Sequence, residues 1–170
     1  DRFTHVIAPK LDAAWVLHQC TADVPLDFFV LFSAGAGWLG SPGQSGYAAA
    51  NTALDALAYY RRARGLPALS IAWGPWSEVG MAARLSSADQ ERMSRQGLGS
   101  ITPPEGAQIL ENLLGSAGAV AVLPVDWALF ANAHSHLPAR FTALTSQAQS
   151  STPASGKSVA PGGDILKRLS

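Results

Sequence analysis

Tyr47 and Asn51, a phenol and a carboxamide able to donate and accept hydrogen bonds, stand four residues apart in a run rich in alanine and leucine. On a helix that spacing puts both on one face, in adjacent turns. Asparagine is a poor interior helix residue because its amide competes with the backbone, so its presence here asks for a reason. A surface position or a bent helix would supply one without any function. Lys10 is a third anomaly: no other lysine precedes Lys157, and the chain otherwise uses arginine. If Pro9 starts a helical turn, a cation beside it opposes the helix dipole, although a solvent-facing lysine needs no special reason.

Gly35, Gly37 and Gly40 spell G-x-G-x-x-G after an apolar run, with Asp55 twenty residues past the first glycine. A cradle for a dinucleotide diphosphate needs a helix that opens inside the motif and an acidic residue at the end of a second strand. Here Ser41, Pro42 and Gly43 interrupt, and Asp55 falls within a helix, so the stretch reads as a glycine loop.

The elements that must carry these residues follow from periodicity. Ile7, Leu11, Ala14, Trp15 and His18 recur at helical steps over about 3–19, interrupted or restarted at Pro9. The run 26–32 lacks alternation and suits a strand covered on both faces. A glycine-rich turn, 35–46, leads into a strong helix over 47–64, ended by Gly65 and Pro67. A second buried strand over 68–73 runs into Gly74 and Pro75, and polar and mixed helices follow at 86–96 and 103–114. A third strand covers 119–125. Strand and helix thus alternate three times. The pattern predicts an α/β fold, the C-terminal half of a Rossmann-like, doubly wound parallel sheet of about three strands with helices on both faces.

After about residue 142 the composition turns to Ser, Thr, Gln, Ala, Pro and Gly, which predicts a flexible linker over 142–163; residues 164–170 look like the opening of a further helical unit. The first residue is not methionine, and the chain reads as a piece of something longer, with residues 1–141 as its folded domain.

The 170 residues are 48% hydrophobic and 14% charged, enough apolar content for one ordinary core. A net charge of zero and a pI near 7.1 offer no attraction to nucleic acid or anionic membrane. A lone Cys20 excludes an internal disulfide or a cysteine-based zinc site, and no metal is expected. No apolar run reaches the ~18 residues of a membrane span and no signal segment opens the chain, so a cytoplasmic location is expected.

Taken together, several segments fall in a recognisable order: Phe29-Val30-Leu31-Phe32-Ser33, Leu39-Gly40-Ser41-Pro42-Gly43-Gln44, Tyr47-Ala48-Ala49-Ala50-Asn51, Leu54-Asp55-Ala56-Leu57-Ala58 and Gly65-Leu66-Pro67-Ala68. Trp73-Gly74-Pro75-Trp76, Gly80-Met81-Ala82 and, upstream, Ala8-Pro9-Lys10-Leu11-Asp12-Ala13-Ala14 with Leu17-His18 complete the set. Over about residues 1–130 the chain resembles the ketoreductase domain of modular polyketide synthases, a specialised relative of the short-chain dehydrogenase/reductases. The resemblance implies reduction of a β-ketoacyl group, tethered to an acyl carrier protein, by hydride from NADPH. Tyr47 then takes the place of the general acid. A phenol is a weak acid with an ordinary pKa of about 10, and a neighbouring cation that stabilises phenolate makes it a better one. In this branch the cation comes from the earlier Pro-Lys position, matching Lys10, and asparagine stands four after the tyrosine, matching Asn51.

By the same resemblance Phe32, Ser33, Ala34 and the Trp73-Gly74-Pro75-Trp76 turn line the nicotinamide end of the cleft, and 80–99 takes the place of a lid. Tryptophan burial and an ordinary Gly-Pro turn explain the same residues without a ligand. The phosphate-binding loop is expected in a missing N-terminal half, which must also cover the exposed strand edge. Other synthase domains, the carrier protein above all, are the implied partners. One departure matters. The family serine that holds the substrate carbonyl lies thirteen residues before the tyrosine, and here that slot is Ala34, which has no donor. Loss of one such donor costs on the order of 10²–10³ in rate. Ser33 survives beside it but should point to the opposite face. The resemblance therefore leaves open an impaired reductase, a reductase that recruits Ser33 or water, and a catalytically silent scaffold; a stand-alone short-chain dehydrogenase fits less well. The tryptophan that marks one stereochemical class eight residues before the tyrosine is displaced as well: Leu39 holds that place and Trp38 precedes it.

Overall fold

A computed structural model describes residues 2–41, 43–80, 85–134 and 139–150. Three five-residue strands, β1 (Val30–Ala34), β2 (Leu69–Trp73) and β3 (Gly118–Val122), pair in parallel in the order β1-β2-β3. Their helices are α1 (Arg2–Ile7), α2 (Ala13–Cys20), α3 (Ala36–Leu39), α4 (Ser45–Arg62), α5 (Ser87–Arg95), α6 (Pro103–Leu113), α7 (Trp127–Ala133) and α8 (Ala139–Ser150). The α/β architecture, with a parallel sheet flanked on both faces, is the one the sequence predicts.

Alternation along β2 explains the two layers. Leu69, Ile71 and Trp73 point to one face, where Ile109 and Leu113 of α6 join Val120 and Val122 of β3 in a core cluster. On the other face β2 offers only Ser70 and Ala72, both fully buried, and the small side chains let α4 lie close. There Leu54, Leu57 and Ala58 of α4 pack with Ala14 of α2 and with Phe29 and Leu31. These α4 positions recur at three- and four-residue steps, the period of a helix with one buried stripe. Beyond α4, Gly65 at φ +73° makes the left-handed turn that returns the chain to the sheet.

The structure moves several boundaries. The first strand is Val30–Ala34, not 26–32: Leu26 and Phe29 pack into the core, but from a segment whose ladder begins only with Leu69 N donating to Phe29 O. The third strand stops at Val122 because Pro124 has no N–H to continue it. The expected helix over 3–19 is one run with a π-helical turn, Ala8–Asp12, where Ala13 N donates to Ala8 O. Pro9 lies inside this wide turn, consistent with its missing N–H and its clash with the preceding turn. No periodic pattern announces an element over 126–138, where α7 forms behind an Asp126 N-cap. The linker expected from residue 142 is also corrected in its first part, since α8 continues to Ser150. Phe141 and Thr145, one helical turn apart, are buried, and the Phe141 ring stacks on Trp127 at 5.7 Å. The rest of that stretch, 151–163, and the unit expected at 164–170 lie outside the described residues.

Arg61 joins the helical layer. It is fully buried, its Nε donates to Pro67 O at 3.1 Å, and its guanidinium lies 3.8 Å over the Phe29 ring. Its Nη1 meets Nδ1 of buried His18 at 3.0 Å, so His18 must be neutral, accepting through Nδ1. Burial, then the charges of Arg61 and Arg64, hold the His18 pKa below its ordinary value. The unfolded chain therefore takes up the His18 proton more readily than the folded one, and stability falls as pH drops below about 6.5. Urea denaturation between about pH 7.5 and 5.5 should show this fall, at a slope of at most about 1.4 kcal/mol per pH unit from this group, and His18→Gln should flatten it. A second expectation concerns Gly106, where an added Cβ would come within 2.2 Å of the Trp76 ring. Gly106→Ala should cost about 1–3 kcal/mol by overpacking, read as a lower denaturation midpoint.

Candidate active site

The carboxyl end of β1, the first two turns of α4 and the π-helical turn meet at one place. Lys10, half-buried, donates from Nζ to Phe32 O at 3.2 Å, and the same Nζ lies 5.5 Å from the centroid of the Tyr47 ring. That separation is within the range in which a cation is attracted by an aromatic face. Desolvation holds the Lys10 pKa below the ordinary lysine value. Asn51 is fully buried, and its Nδ2 donates to Tyr47 O at 2.7 Å, one turn back. Its Oδ1 is buried with no partner. The amide thus does compete for a helix carbonyl, and it does so in the interior, not at the surface. Lys10, Tyr47 and Asn51 are brought together.

Ser33 and Ala34 face apart. Ser33 is buried, and its hydroxyl donates to Asn51 O at 3.0 Å, on the α4 face of the sheet. Ala34 pairs in register with Trp73 and shares the opposite face with it. The structure thus gives Ser33 a helix carbonyl as its partner, at a site turned away from the Ala34 slot.

The remaining residues named from the sequence divide between surface and core. Phe32 is 50% exposed, beside the free edge of β1, with its ring 5.7 Å from that of Trp73. Trp73 is buried in the α6-side core and its Nε1 has no partner; Trp76 packs edge-on against it at 5.0 Å. Gly74 has to be small, since a Cβ there would come within 2.8 Å of Pro124 Cδ and 3.1 Å of Val122 O. Pro75 O accepts from Ile101 N. The half-buried Gly74, Pro75 and Trp76 lie past the carboxyl end of β2, and Phe32 lies near that of β1, the end at which parallel sheets bind ligands.

In the glycine motif a helix does open, contrary to expectation, but it is only α3, four residues long, and it stops at Gly40 with φ +80°. Such a turn offers no diphosphate cradle. Asp55 sits within α4, as expected, and sequence reasoning missed what it does. Its Oδ1 accepts from Ser70 Oγ at 2.6 Å and its Oδ2 from Trp38 Nε1 at 3.1 Å, so one buried carboxylate ties α3, α4 and β2. The only local hint was an aspartate in an Ala/Leu-rich helix. A groove of about 340 Å³ beside this network, lined by Trp38, Asp55 and Tyr59 among others, shares no residue with Lys10, Tyr47 or Asn51.

An exposed aromatic and a glycine turn flank the strand ends, and no phosphate cradle occurs among the described residues. No group of three His, Cys, Asp or Glu among them is placed to hold a metal, and no helix among them is long and apolar enough to cross a membrane.

A sequence profile of the KR domain matches residues 1–78. The phenolphthiocerol synthesis polyketide synthase type I Pks15/1 of Mycobacterium bovis is 47% identical over 148 residues, which are 85% of this chain and 7% of that protein. A solved A-type ketoreductase from a modular polyketide synthase superposes with a TM-score of 0.75 at 44% identity, over 85% of this chain and 30% of its own. An A1-type ketoreductase gives a TM-score of 0.77 at 41% identity, over 86% of this chain and 32% of its own. The chain thus spans under a tenth of the first of these synthases and about a third of each solved ketoreductase. On sequence and fold together, it belongs to the ketoreductase-domain family of polyketide synthases, within the short-chain dehydrogenase/reductase superfamily.

Proposed function

We propose that residues 1–141 form the C-terminal, site-bearing part of a ketoreductase domain that reduces a β-ketoacyl group on an acyl carrier protein to the β-hydroxyacyl form. The observation that carries this reading is the Lys10 ammonium lying 5.5 Å from the Tyr47 ring at the carboxyl end of β1. Bound NADPH would supply hydride to the β-carbon. A preceding half of the domain would hold its phosphates, while Phe32 and the Gly74–Trp76 turn would flank its nicotinamide end. Tyr47 gives its hydroxyl proton to the carbonyl oxygen as that oxygen gains negative charge. Lys10 offsets the charge left on the phenolate oxygen, and Phe32 O fixes where the ammonium stands. Asn51, bonded to Tyr47 O, holds the first turn of α4 in place. The surrounding synthase domains, and a cytoplasmic setting, belong to the same proposal.

Ala34 favours a second reading, in which the domain is impaired or silent. Its methyl stands where the family places a hydroxyl donor, and the neighbouring Ser33 hydroxyl is bonded to Asn51 O. NADPH oxidation by the complete domain on a β-ketoacyl thioester separates the readings. Ala34→Ser should raise turnover by on the order of 10²–10³, and equal rates would sink the impairment. Tyr47→Phe should abolish what turnover there is; unchanged activity would remove Tyr47 from its role. NADPH binding without turnover marks a disabled enzyme, and no binding marks a scaffold. A further expectation concerns pH. Since desolvation lowers the Lys10 pKa, the cation is lost as pH rises at a value below the ordinary ~10.4. Turnover should fall there, and Lys10→Arg, if active, should move that fall to higher pH.

A further inference from the structure

Ser33 lies one residue from the vacant donor slot, yet its hydroxyl is 3.0 Å from Asn51 O and the residue is 4% exposed. That carbonyl belongs to the turn whose own carboxamide reaches back to Tyr47 O at 2.7 Å. A strand hydroxyl, a helix carbonyl and a helix side chain thus join the last residues of β1 to the second and first turns of α4. We propose that Ser33 is a positioning residue: by clasping Asn51 O it locks the start of α4 onto β1 and so sets where Tyr47 stands relative to Ala34 and Lys10.

Two structural facts favour this over a role as substitute carbonyl donor. The Ser33 hydroxyl has one proton to give, and Asn51 O takes it. Its strand position faces α4, whereas the Ala34 side chain shares the other face with Trp73. To reach a substrate carbonyl, Ser33 would have to break its buried bond and leave Asn51 O with one donor fewer. The clasp is also well placed to matter. The clasp ties this part of α4 to β1 itself; α3 also packs on it, through Gly37 beside Thr52 and through Trp38 bonded to Asp55, while the far end of α4 is held by Arg61.

The assignment rests on the reductase reading for its effect on turnover, but hydrogen exchange reads the clasp without any turnover. In the complete domain, Ser33→Ala should raise amide exchange about tenfold over residues 47–55 and leave residues 57–62 unchanged, while Ser33→Thr, which keeps the hydroxyl, should stay near the parent. A uniform rise along α4 and the sheet, or no rise, overturns the proposal. Where turnover is measurable, Ser33→Ala should lower kcat about tenfold with KM unchanged, and by the same factor when Ala34 is also Ser. A loss that disappears once Ala34 is Ser would make Ser33 the carbonyl donor and overturn the proposal. If no variant turns over, Ala34→Ser included, the reductase reading fails while the exchange pattern still decides whether Ser33 holds the helix.

Discussion

A half-buried ammonium beside a tyrosine gives up part of its hydration, and here a strand carbonyl and an aromatic face stand in for what is lost. Among the described residues no carboxylate forms an ion pair with Lys10; it has Phe32 O at 3.2 Å and the Tyr47 ring at 5.5 Å. A carboxylate partner would neutralise the charge and leave little field around it. Carbonyl and ring densities orient the cation while leaving its charge uncancelled. Much of the fold serves this arrangement. The helical run 2–20 and α4 must pack on the same face of β1, and β1 must end where α4 begins. Arg61 holds α2 to α4 at the far end through His18, keeping the two helices together.

How far this was legible in the sequence depended on how local the cause was. Helix α4 was legible because its buried stripe, its closing arginines and the Gly65 turn all lie within one stretch, and the three parallel strands because strand and helix alternate. The wide turn at Pro9 was visible as an interruption but not as a π turn, since a missing N–H says where the ladder breaks and not how the chain re-forms it. Residues 26–29 were read as strand because an apolar segment packed into a core and an apolar strand have one composition. Helix α8 was hidden by its Ser, Thr and Gln content: its formation depends on Phe141 stacking on Trp127, a contact no local pattern announces.

The site divides in the same way. Tyr47 and Asn51 could be put together from spacing alone, four residues apart on one helix. Lys10 could not, since its nearness to Tyr47 depends on how two helices and a strand pack; only the family resemblance brought it in. Alternation along β1 was enough to turn Ser33 away from Ala34, but not to find its partner. The buried carboxylate of Asp55 carries no readable role in the sequence beyond its place in a nucleotide-like spacing and in a segment of the resemblance. Its bonds to Ser70 and Trp38 depend on contacts across three elements that sequence spacing does not contain.

The consequence of Ala34 follows from this geometry. On a parallel strand, neighbouring side chains alternate faces, so a hydroxyl lost at one position is not restored by a hydroxyl at the next. Ser33 is further tied by its bond to Asn51 O, and freeing it would loosen the helix that presents Tyr47. Recruiting Ser33 would therefore cost the bond that joins β1 to α4. The Lys10, Tyr47 and Asn51 arrangement does not depend on the side chain at position 34, so on the proposed reading a serine there would meet it as it stands.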